Sequence, residues 1–291
     1  MAYLLGIDIG TSGTKTILID ETGAVVARST AEYPLYTPRP QWSEQSPADW
    51  WEATCTTVRE VLAESGVAPA DIRGVGLSGQ MHGAVFLDGD NEVLRRAILW
   101  NDQRTQAECD WIMDTVGRDR VVELISNPVL TGFTAGKIVW LRNHEPDVYA
   151  RVRRVLLPKD YIRLQLTGEY ATEVSDASGT ALFNVRKRAW ADEMLDACGI
   201  PRDWMPRAYE SPEVSGRISA WAVTPLVIAS ENESTCISSE RPPMRPVNMQ
   251  PMMMTLPISS SLAVPPIDRP TVPSAEMTSK RASAPDICWV N

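Results

Sequence analysis

Histidine is nearly missing from this 291-residue chain: His82 and His144 are its only two copies. The five cysteines, Cys55, Cys109, Cys198, Cys236 and Cys288, never fall into a Cys-x-x-Cys spacing. A metal centre of thiols and imidazoles is therefore not expected. Scattered and odd in number, the cysteines read as reduced, mostly buried thiols of a cytoplasmic protein. No apolar run approaches the length of a membrane span, and the start Met-Ala-Tyr-Leu-Leu-Gly lacks the basic segment and apolar core of a signal peptide. Positive charge is in deficit, with 28 Lys and Arg against 37 Asp and Glu, a net charge of −9 and a pI near 4.9. Nucleic acid and anionic membrane are thereby disfavoured as partners. Glycine vanishes after Gly216, so no glycine-dependent phosphate or catalytic loop can lie beyond it. Neither Gly-Lys-Ser/Thr nor Gly-x-Gly-x-x-Gly occurs, which removes the Walker loop and the dinucleotide fingerprint.

What is present organises itself around Gly6-Ile7-Asp8-Ile9-Gly10-Thr11-Ser12-Gly13-Thr14-Lys15. Leu4 to Ile9 is a branched apolar run, read as a buried strand. Gly10 to Gly13 supplies small residues able to take positive φ and turn the chain. Thr14 to Ile19 alternates and reads as the returning strand. Such a hairpin aims backbone N–H groups, two hydroxyls and Lys15 at one point, a nest suited to phosphate oxygens. Asp8, at the strand end under the turn, is placed to hold a hydrated Mg²⁺. A tight Gly/Ser hairpin without a ligand is the plain alternative; Asp8 favours phosphate.

Asp20 to Gly23 reads as a second turn and Ala24 to Ser29 as a third strand. Tyr33 to Gln45 is Pro-rich and reads as a loop. Ser46-Pro47-Ala48-Asp49 predicts a helix start with a capping box, the helix running to Ser65 and burying Trp51, Cys55, Val58 and Leu62. Trp50-Trp51 is a packing anchor. Gly74 to Ser78 is a strand whose exit loop is Gly79-Gln80-Met81-His82-Gly83. Ala84 to Leu87, a turn at Asp88 to Asn91, and Ala97 to Trp100 follow as strand, hairpin turn and strand. Asn101-Asp102 is read as initiating a helix through Val116, Thr134 to Asn143 as another, and Val155 to Leu157 as a short strand. Pro158-Lys159-Asp160-Tyr161 reads as a helix start rather than a catalytic pair. Thr172 to Thr180 reads as a polar loop, and Ala191 to Cys198 as a helix stopped by Gly199 and Pro201. His144, at a helix end, is assigned a capping or solvent role. With 44% hydrophobic and 22% charged residues, the alternation fits an α/β domain with a mixed sheet.

The composition changes near Ala222. Half of the 22 prolines follow Thr224, beside many Ser and Met, including Met252-Met253-Met254. The expectation is two regions: a folded domain over 1–222, and a Pro/Ser/Met-rich tail over 223–291 that is disordered or poorly packed. A reading-frame shift or truncation that replaced the original continuation is the favoured origin of this segment, and a flexible physiological tail is the alternative.

Six blocks in order carry a resemblance over roughly residues 1–222: the stretch 6–15, Trp-Ser-Glu-Gln-Ser-Pro-Ala-Asp-Trp-Trp (42–51), Gly-Gln-Met-His-Gly (79–83), Ile-Leu-Trp-Asn-Asp-Gln-Arg (98–104), Gly-Phe-Thr-Ala-Gly-Lys-Ile-Val-Trp-Leu (132–141) and Leu-Leu-Pro-Lys-Asp-Tyr (156–161). They resemble the N-terminal half of the FGGY family of carbohydrate kinases, within the actin, Hsp70 and sugar-kinase superfamily. Gly-Gln-Met-His-Gly favours the branch acting on D-xylulose over those acting on glycerol, ribulose or rhamnulose. The resemblance implies an actin-like, ribonuclease H-like α/β domain with a mixed β-sheet and flanking helices. It implies ATP and Mg²⁺ as cofactors, D-xylulose as the sugar, phosphorylation at its 5-hydroxyl, and leaves a homodimer open.

Carried over by position, Asp8 would serve the Mg²⁺–phosphate region through water, and Thr11, Ser12, Gly13 and Lys15 would contact phosphate oxygens. Met81, His82 and Trp100 would meet the sugar, and Asp102 and Arg104 would support that loop. A loop histidine satisfied by its neighbours is the plain reading of His82; the block around it favours sugar contact. The family's general base, an aspartate in a Gly-rich loop, and its second domain have no counterpart after Ala222. The chain alone is therefore expected to be inactive or nearly so. A sugar- or phosphate-binding fragment, or a kinase for another ketopentose or polyol, remains the alternative.

Overall fold

The computed structural model describes residues 1–227 and 286–289, which fall in one compact unit; a second unit, Arg241–Ser283, lies outside the described residues. Along the chain come β1 (Tyr3–Ile9), β2 (Gly13–Asp20), β3 (Val25–Glu32), β4 (Glu44–Gln45), α1 (Pro47–Ser65), β5 (Ile72–Gly79), β6 (Val85–Leu87), β7 (Ala97–Ile98), α2 (Gln106–Val116), α3 (Arg118–Ile125) and α4 (Thr134–His144). They are followed by α5 (Pro146–Arg151), β8 (Arg154–Leu156), α6 (Pro158–Thr167), β9 (Ala171–Glu173), α7 (Val174–Ser178), β10 (Phe183–Asn184), β11 (Ala189–Trp190), α8 (Asp192–Cys198), β12 (Arg207–Tyr209), β13 (Gly216–Arg217), α9 (Ala220–Val227) and β14 (Asp286–Trp289).

The main sheet runs β13-β14-β5-β1-β2-β3. The pairs β1–β2 and β2–β3 are antiparallel, while β1–β5 and β5–β14 are parallel, so the sheet is mixed as expected. Period-two burial fixes its faces. Leu5, Ile7 and Ile9 of β1, Thr14, Thr16 and Leu18 of β2, and Val75 and Leu77 of β5 are buried. Helix α1 covers the sheet with Trp50, Thr54, Thr57, Val58 and Val61, and Thr57 Oγ1 meets Thr16 Oγ1 at 2.7 Å. Leu62, expected in that face, is only partly buried.

A second core lies under α2, α4 and α8 and includes Ile112, Ile138, Trp140 and Leu195. Three short strands form the wall between the cores by alternation. Val85 and Leu87, Ala97 and Leu99, and Leu156 face the sheet core; Phe86, Ile98 and Val155 face the helical one. Strands buried on both faces read as continuous apolar runs, which these segments are.

Several local expectations are corrected. Ser46 precedes α1 without a side-chain cap bond, so the capping box is not formed; Pro47 still opens the helix. Helix α2 begins at Gln106, because the Asp102 carboxylate is engaged elsewhere. Segment 172–180 is not a loop: it holds the end of β9 and helix α7, whose N-terminal N–H groups, Ser175 N and Asp176 N, are accepted by the buried Glu173 carboxylate. Gly10 and Gly13 are absent from the positive-φ residues. Gly13 is needed for closeness instead, since a Cβ there would lie 2.6 Å from the Ala31 carbonyl oxygen of β3. Of the segment 223–291, residues 228–285 and 290–291 lie outside the described residues; 223–227 complete α9, and Asp286–Trp289 pairs with β5 and β13.

Gly13→Ala is accordingly expected to destabilise the domain by about 1–3 kcal/mol, the usual cost of overpacking against backbone. Chemical denaturation reads this directly; an unchanged midpoint would show that β3 yields without cost.

Candidate functional site

The turn at 10–13 is held by its oxygens. Gly10 O accepts from the Tyr33 hydroxyl at 2.5 Å and from Gln80 Nε2 at 3.3 Å. Thr11 O accepts from Gln45 Nε2 at 2.7 Å, and Ser12 O from the Tyr33 amide at 3.4 Å. Burial pushes the Tyr33 phenol up to about 12, with nearby Asp8 acting in the same direction, so it stays a donor. Gly10 N–H bonds Gly13 O at 3.1 Å, whereas the N–H groups of Thr11 and Ser12 donate to no described residue. A turn with its acceptors engaged and donors unspent presents positive partial charge, the property of an anion nest.

Asp8 sits beside this turn. It is exposed, and on the sheet it stands opposite Lys15 on one side and Ser78 on the other. Register partners share a face, so the three side chains converge at one edge. Ser78 Oγ donates to Asp8 Oδ1 at 2.6 Å. A Cβ on Gly10 would lie 3.1 Å from Gly13 O, with Asp8 Oδ2 only in ordinary contact at 3.9 Å. Among the described residues no group of three or more His, Cys, Asp or Glu could hold a metal. One exposed carboxylate, bonded through Oδ1 to Ser78, beside an anion nest fits a hydrated Mg²⁺ and does not fit a dedicated protein cage.

The second loop leaves β5, the parallel neighbour of β1. Gln80 N–H donates to Ile9 O at 2.7 Å, which ties the start of this loop to the end of β1. Met81 is 49% exposed. His82 adopts φ 64°, a left-handed conformation that favours glycine. Its carbonyl accepts from Thr134 Oγ1 and from Lys137 Nζ, each at 3.2 Å. Lys137 is fully buried, and its ammonium also reaches Phe133 O at 3.0 Å and Gly132 O. Burial dominates, outweighing the nearby Asp102 carboxylate, and Lys137 falls to about 7. The His82 ring packs on Phe133 with centroids 4.8 Å apart, and a Cβ on Gly179 would lie 2.1 Å from its Cε1. Burial, and then the Lys137 charge, lower His82 to about 4, so it is neutral at physiological pH.

The ribbon β4–β7 brings in the remaining expected residues. Trp100, 44% exposed, donates from Nε1 to Thr11 Oγ1 at 3.0 Å. Asp102 is fully buried; its Oδ2 accepts from Ser43 N at 2.7 Å and Arg104 Nη2 at 2.7 Å. Arg104 also reaches Glu44 at 2.9 Å and lies 3.6 Å over the Trp42 ring. Asp102 and Arg104 thus pair with each other two and four residues beyond Trp100.

Lys159 and Asp160 open α6, and Lys159 is bound to Glu173 at 2.8 Å and to Asp176. Burial opposes charge on Glu173, yet Lys159 holds it down to about 2; burial pushes Asp160 up to about 7. This is a structural pair. His144 ends α4, meeting Glu108 at 3.1 Å and stacking on Trp140.

Asp8, Thr11, Ser12, Gly13 and Lys15 therefore share one turn and its strand edge, and Trp100 is bonded to that turn. Met81 and His82 share the loop from the adjacent strand. Sequence reasoning gave no role to Gln45, Gln80, Phe133, Lys137 and Gly179. Four of them stand inside the recognised blocks at 42–51, 79–83 and 132–141; Gly179 had no signal beyond being a glycine.

Residues 3–228 match the model of the N-terminal domain of the FGGY family of carbohydrate kinases. The xylulose kinase of Escherichia coli (strain K12) is 44% identical over 230 residues, 77% of this chain and 47% of that protein. The xylulose kinase of Bacillus subtilis (strain 168) is 42% identical over 218 residues, 75% of this chain and 44% of that protein. Among solved structures, a "xyloylose kinase" from Brucella ovis superposes with a TM-score of 0.73 at 42% identity, covering 75% of this chain and 46% of that one. A xylulose kinase from Rhodospirillum rubrum gives 0.73 at 27% identity, covering 77% and 46%. The chain spans about half the length of the relatives it matches.

The His82 geometry sets a measurable sign. Its folded pKa of about 4 lies below the ordinary 6.5, so the stability held by the neutral ring is complete above 6.5 and lost as pH falls toward 4. NMR of the ring, assigned with His82→Gln, is expected to show a neutral imidazole from pH 8 to 5 with its midpoint near 4. A midpoint near 6.5 would contradict the half-buried placement of the ring near Lys137.

Proposed function

We propose that this chain, which belongs to the FGGY family of carbohydrate kinases through that family's N-terminal domain, forms the phosphate- and sugar-binding half of a kinase that transfers the γ-phosphoryl group of ATP to the 5-hydroxyl of D-xylulose. One observation carries the reading. The anion-nest turn and the Met81-His82 loop leave adjacent parallel strands and are hydrogen-bonded to each other, so an acceptor sugar and a phosphate chain can be held side by side. The family match and the relatives named xylulose kinase support the choice of substrates.

In this reading Thr11, Ser12, Gly13 and Lys15 bind phosphate oxygens through the free N–H groups, the hydroxyls and the ammonium. Mg²⁺, when bound, neutralises phosphate charge, and Asp8 holds it through water. Met81 and the open face of Trp100 form the apolar side of the sugar contact. Neutral His82 both donates and accepts, which suits a sugar hydroxyl. Phosphoryl transfer rests on positioning and charge stabilisation, and this domain supplies positioning. The groups that would take the proton from the 5-hydroxyl and grip adenosine lie outside the described domain. Cytoplasmic metabolism of a pentulose fits the reduced thiols Cys55, Cys109 and Cys198.

Calorimetry on the 291-residue chain should show D-xylulose binding at millimolar concentration and Mg²⁺-dependent binding of tripolyphosphate, without turnover of ATP at ordinary kinase rates. Asp8→Ala should weaken the Mg²⁺-dependent binding by about tenfold or more, the worth of a contact to a charged group, with the thermal midpoint unchanged. No heat with either ligand, or equal tripolyphosphate binding by the variant, would refute the assignment.

A further inference from the structure

Gln45 is fully buried, and both ends of its amide are engaged. Nε2 donates to Thr11 O at 2.7 Å; Oε1 accepts from Trp50 Nε1 at 3.0 Å and from Gln80 Nε2 at 2.8 Å. Gln80, 8% exposed, spans the other way: its N–H bonds Ile9 O at 2.7 Å and its Nε2 also reaches Gly10 O at 3.3 Å. The ribbon that carries Gln45 also carries Trp100, whose Nε1 bonds Thr11 Oγ1. Gln45 is anchored by Trp50, which is fully buried on α1. The residue immediately before Met81-His82 is therefore bonded to the turn at 10–13 directly and through one rigid amide.

A buried amide in such a chain cannot move alone. Shifting Gln80 by an ångström breaks bonds to Gly10 and Gln45, and each group left unsatisfied in the interior is costly. The loop after β5 and the turn after β1 can move only jointly, so a ligand that selects one joint arrangement at one loop selects it at the other. Ligand affinities linked in this way are reciprocal by necessity.

We infer that Gln45 and Gln80 are positioning residues that couple the two half-sites, so that a sugar at Met81-His82 and a phosphate at Thr11–Lys15 strengthen each other's binding within this single domain. The inference rests on the proposed assignment of the two loops. Neither glutamine is assigned to touch a ligand; both act through the backbone of the turn.

The test uses the full chain, D-xylulose, and Mg²⁺-tripolyphosphate as the phosphate probe. D-xylulose is expected to tighten tripolyphosphate binding by about fivefold or more, and tripolyphosphate to tighten D-xylulose binding by the same factor. Gln45→Glu keeps an acceptor for Trp50 and Gln80 and sets a carboxylate oxygen against the Thr11 carbonyl in place of the donor; Gln80→Met loses the bridge. In both variants the factor should fall toward one. Independent binding in the wild type overturns the coupling and leaves the proposed function standing.

Absence of binding by both ligands removes the proposed function, and amide exchange in the ligand-free chain then decides the brace. The Gly10 and Tyr33 amides, bonded across the turn, should exchange about tenfold faster in Gln45→Glu and Gln80→Met, while amides of α4 keep the wild-type rate. Unchanged turn amides, or acceleration spread equally over the domain, would overturn the positioning role.

Discussion

The candidate site depends on how closely the backbone of the 10–13 turn is approached from both sides. Toward β3, Gly13 comes near enough to Ala31 that a side chain has no room, and Tyr33 bonds two of the turn's carbonyls. Toward β5 and β4, Gln80 and Gln45 bond Gly10 and Thr11. The consequence is electrostatic. Carbonyl oxygens repel an anion, and here those of Gly10, Thr11 and Ser12 are each neutralised by a donor. The N–H groups of Thr11 and Ser12 are left over, and their dipoles set the sign of the field. An acidic chain can therefore present a local anion site without a cluster of basic side chains, Lys15 being the only one carried by the turn's strands beside Asp8.

Two buried lysines show how the same burial gives opposite charge behaviour. Lys159 lies between Glu173 and Asp176, and these carboxylates raise its pKa against the desolvation cost. Lys137 is desolvated and hydrogen-bonded only to carbonyl oxygens; the Asp102 carboxylate acts on it without a hydrogen bond and does not offset burial, so it falls to about 7. The first pair staples α6 to β9 and α7. Lys137 bonds the carbonyl of left-handed His82, and burial, with the Lys137 charge second, keeps that imidazole neutral. A neutral ring in a fixed orientation can recognise a hydroxyl in a way that a freely titrating surface histidine cannot.

Sequence patterns revealed β1, β2, β3 and β5 of the main sheet but not β13 or β14, and with them the turn at 10–13 and the helices opened by Pro47 and Pro158, because each rests on local periodicity or on the fixed φ of proline. What they missed depends on contacts across the fold. Gly13 suggested a positive φ, yet it answers to β3, eighteen residues later at Ala31. Asp102 had the look of a helix cap, but Ser43 and Arg104 take its carboxylate. Segment 172–180 is polar enough to read as a loop; its polarity belongs to Glu173 and Asp176, buried around Lys159. Gln45 and Gln80 carry no titratable group and no motif chemistry of their own. Their importance is visible only once β1, β4 and β5 are side by side.

The placement of the two loops follows from strand direction. Strands β1 and β5 are parallel neighbours, so both end at the same edge, and chains leaving adjacent parallel strands are forced together there. An antiparallel neighbour would have sent the second loop to the far edge. Parallel pairing requires a crossover, and α1 provides it while packing on the sheet. Beyond that edge, β6 and β7 alternate their side chains between the sheet core and the helical core, so the segments 79–83 and 99–104 sit at the seam of the two. Loops at such a seam are anchored from both cores while their tips stay open, which is the combination that Met81 and Trp100 show. The rigidity that holds the turn and the openness that would admit a ligand thus have one origin, the meeting of two packed cores at the carboxyl ends of β1 and β5.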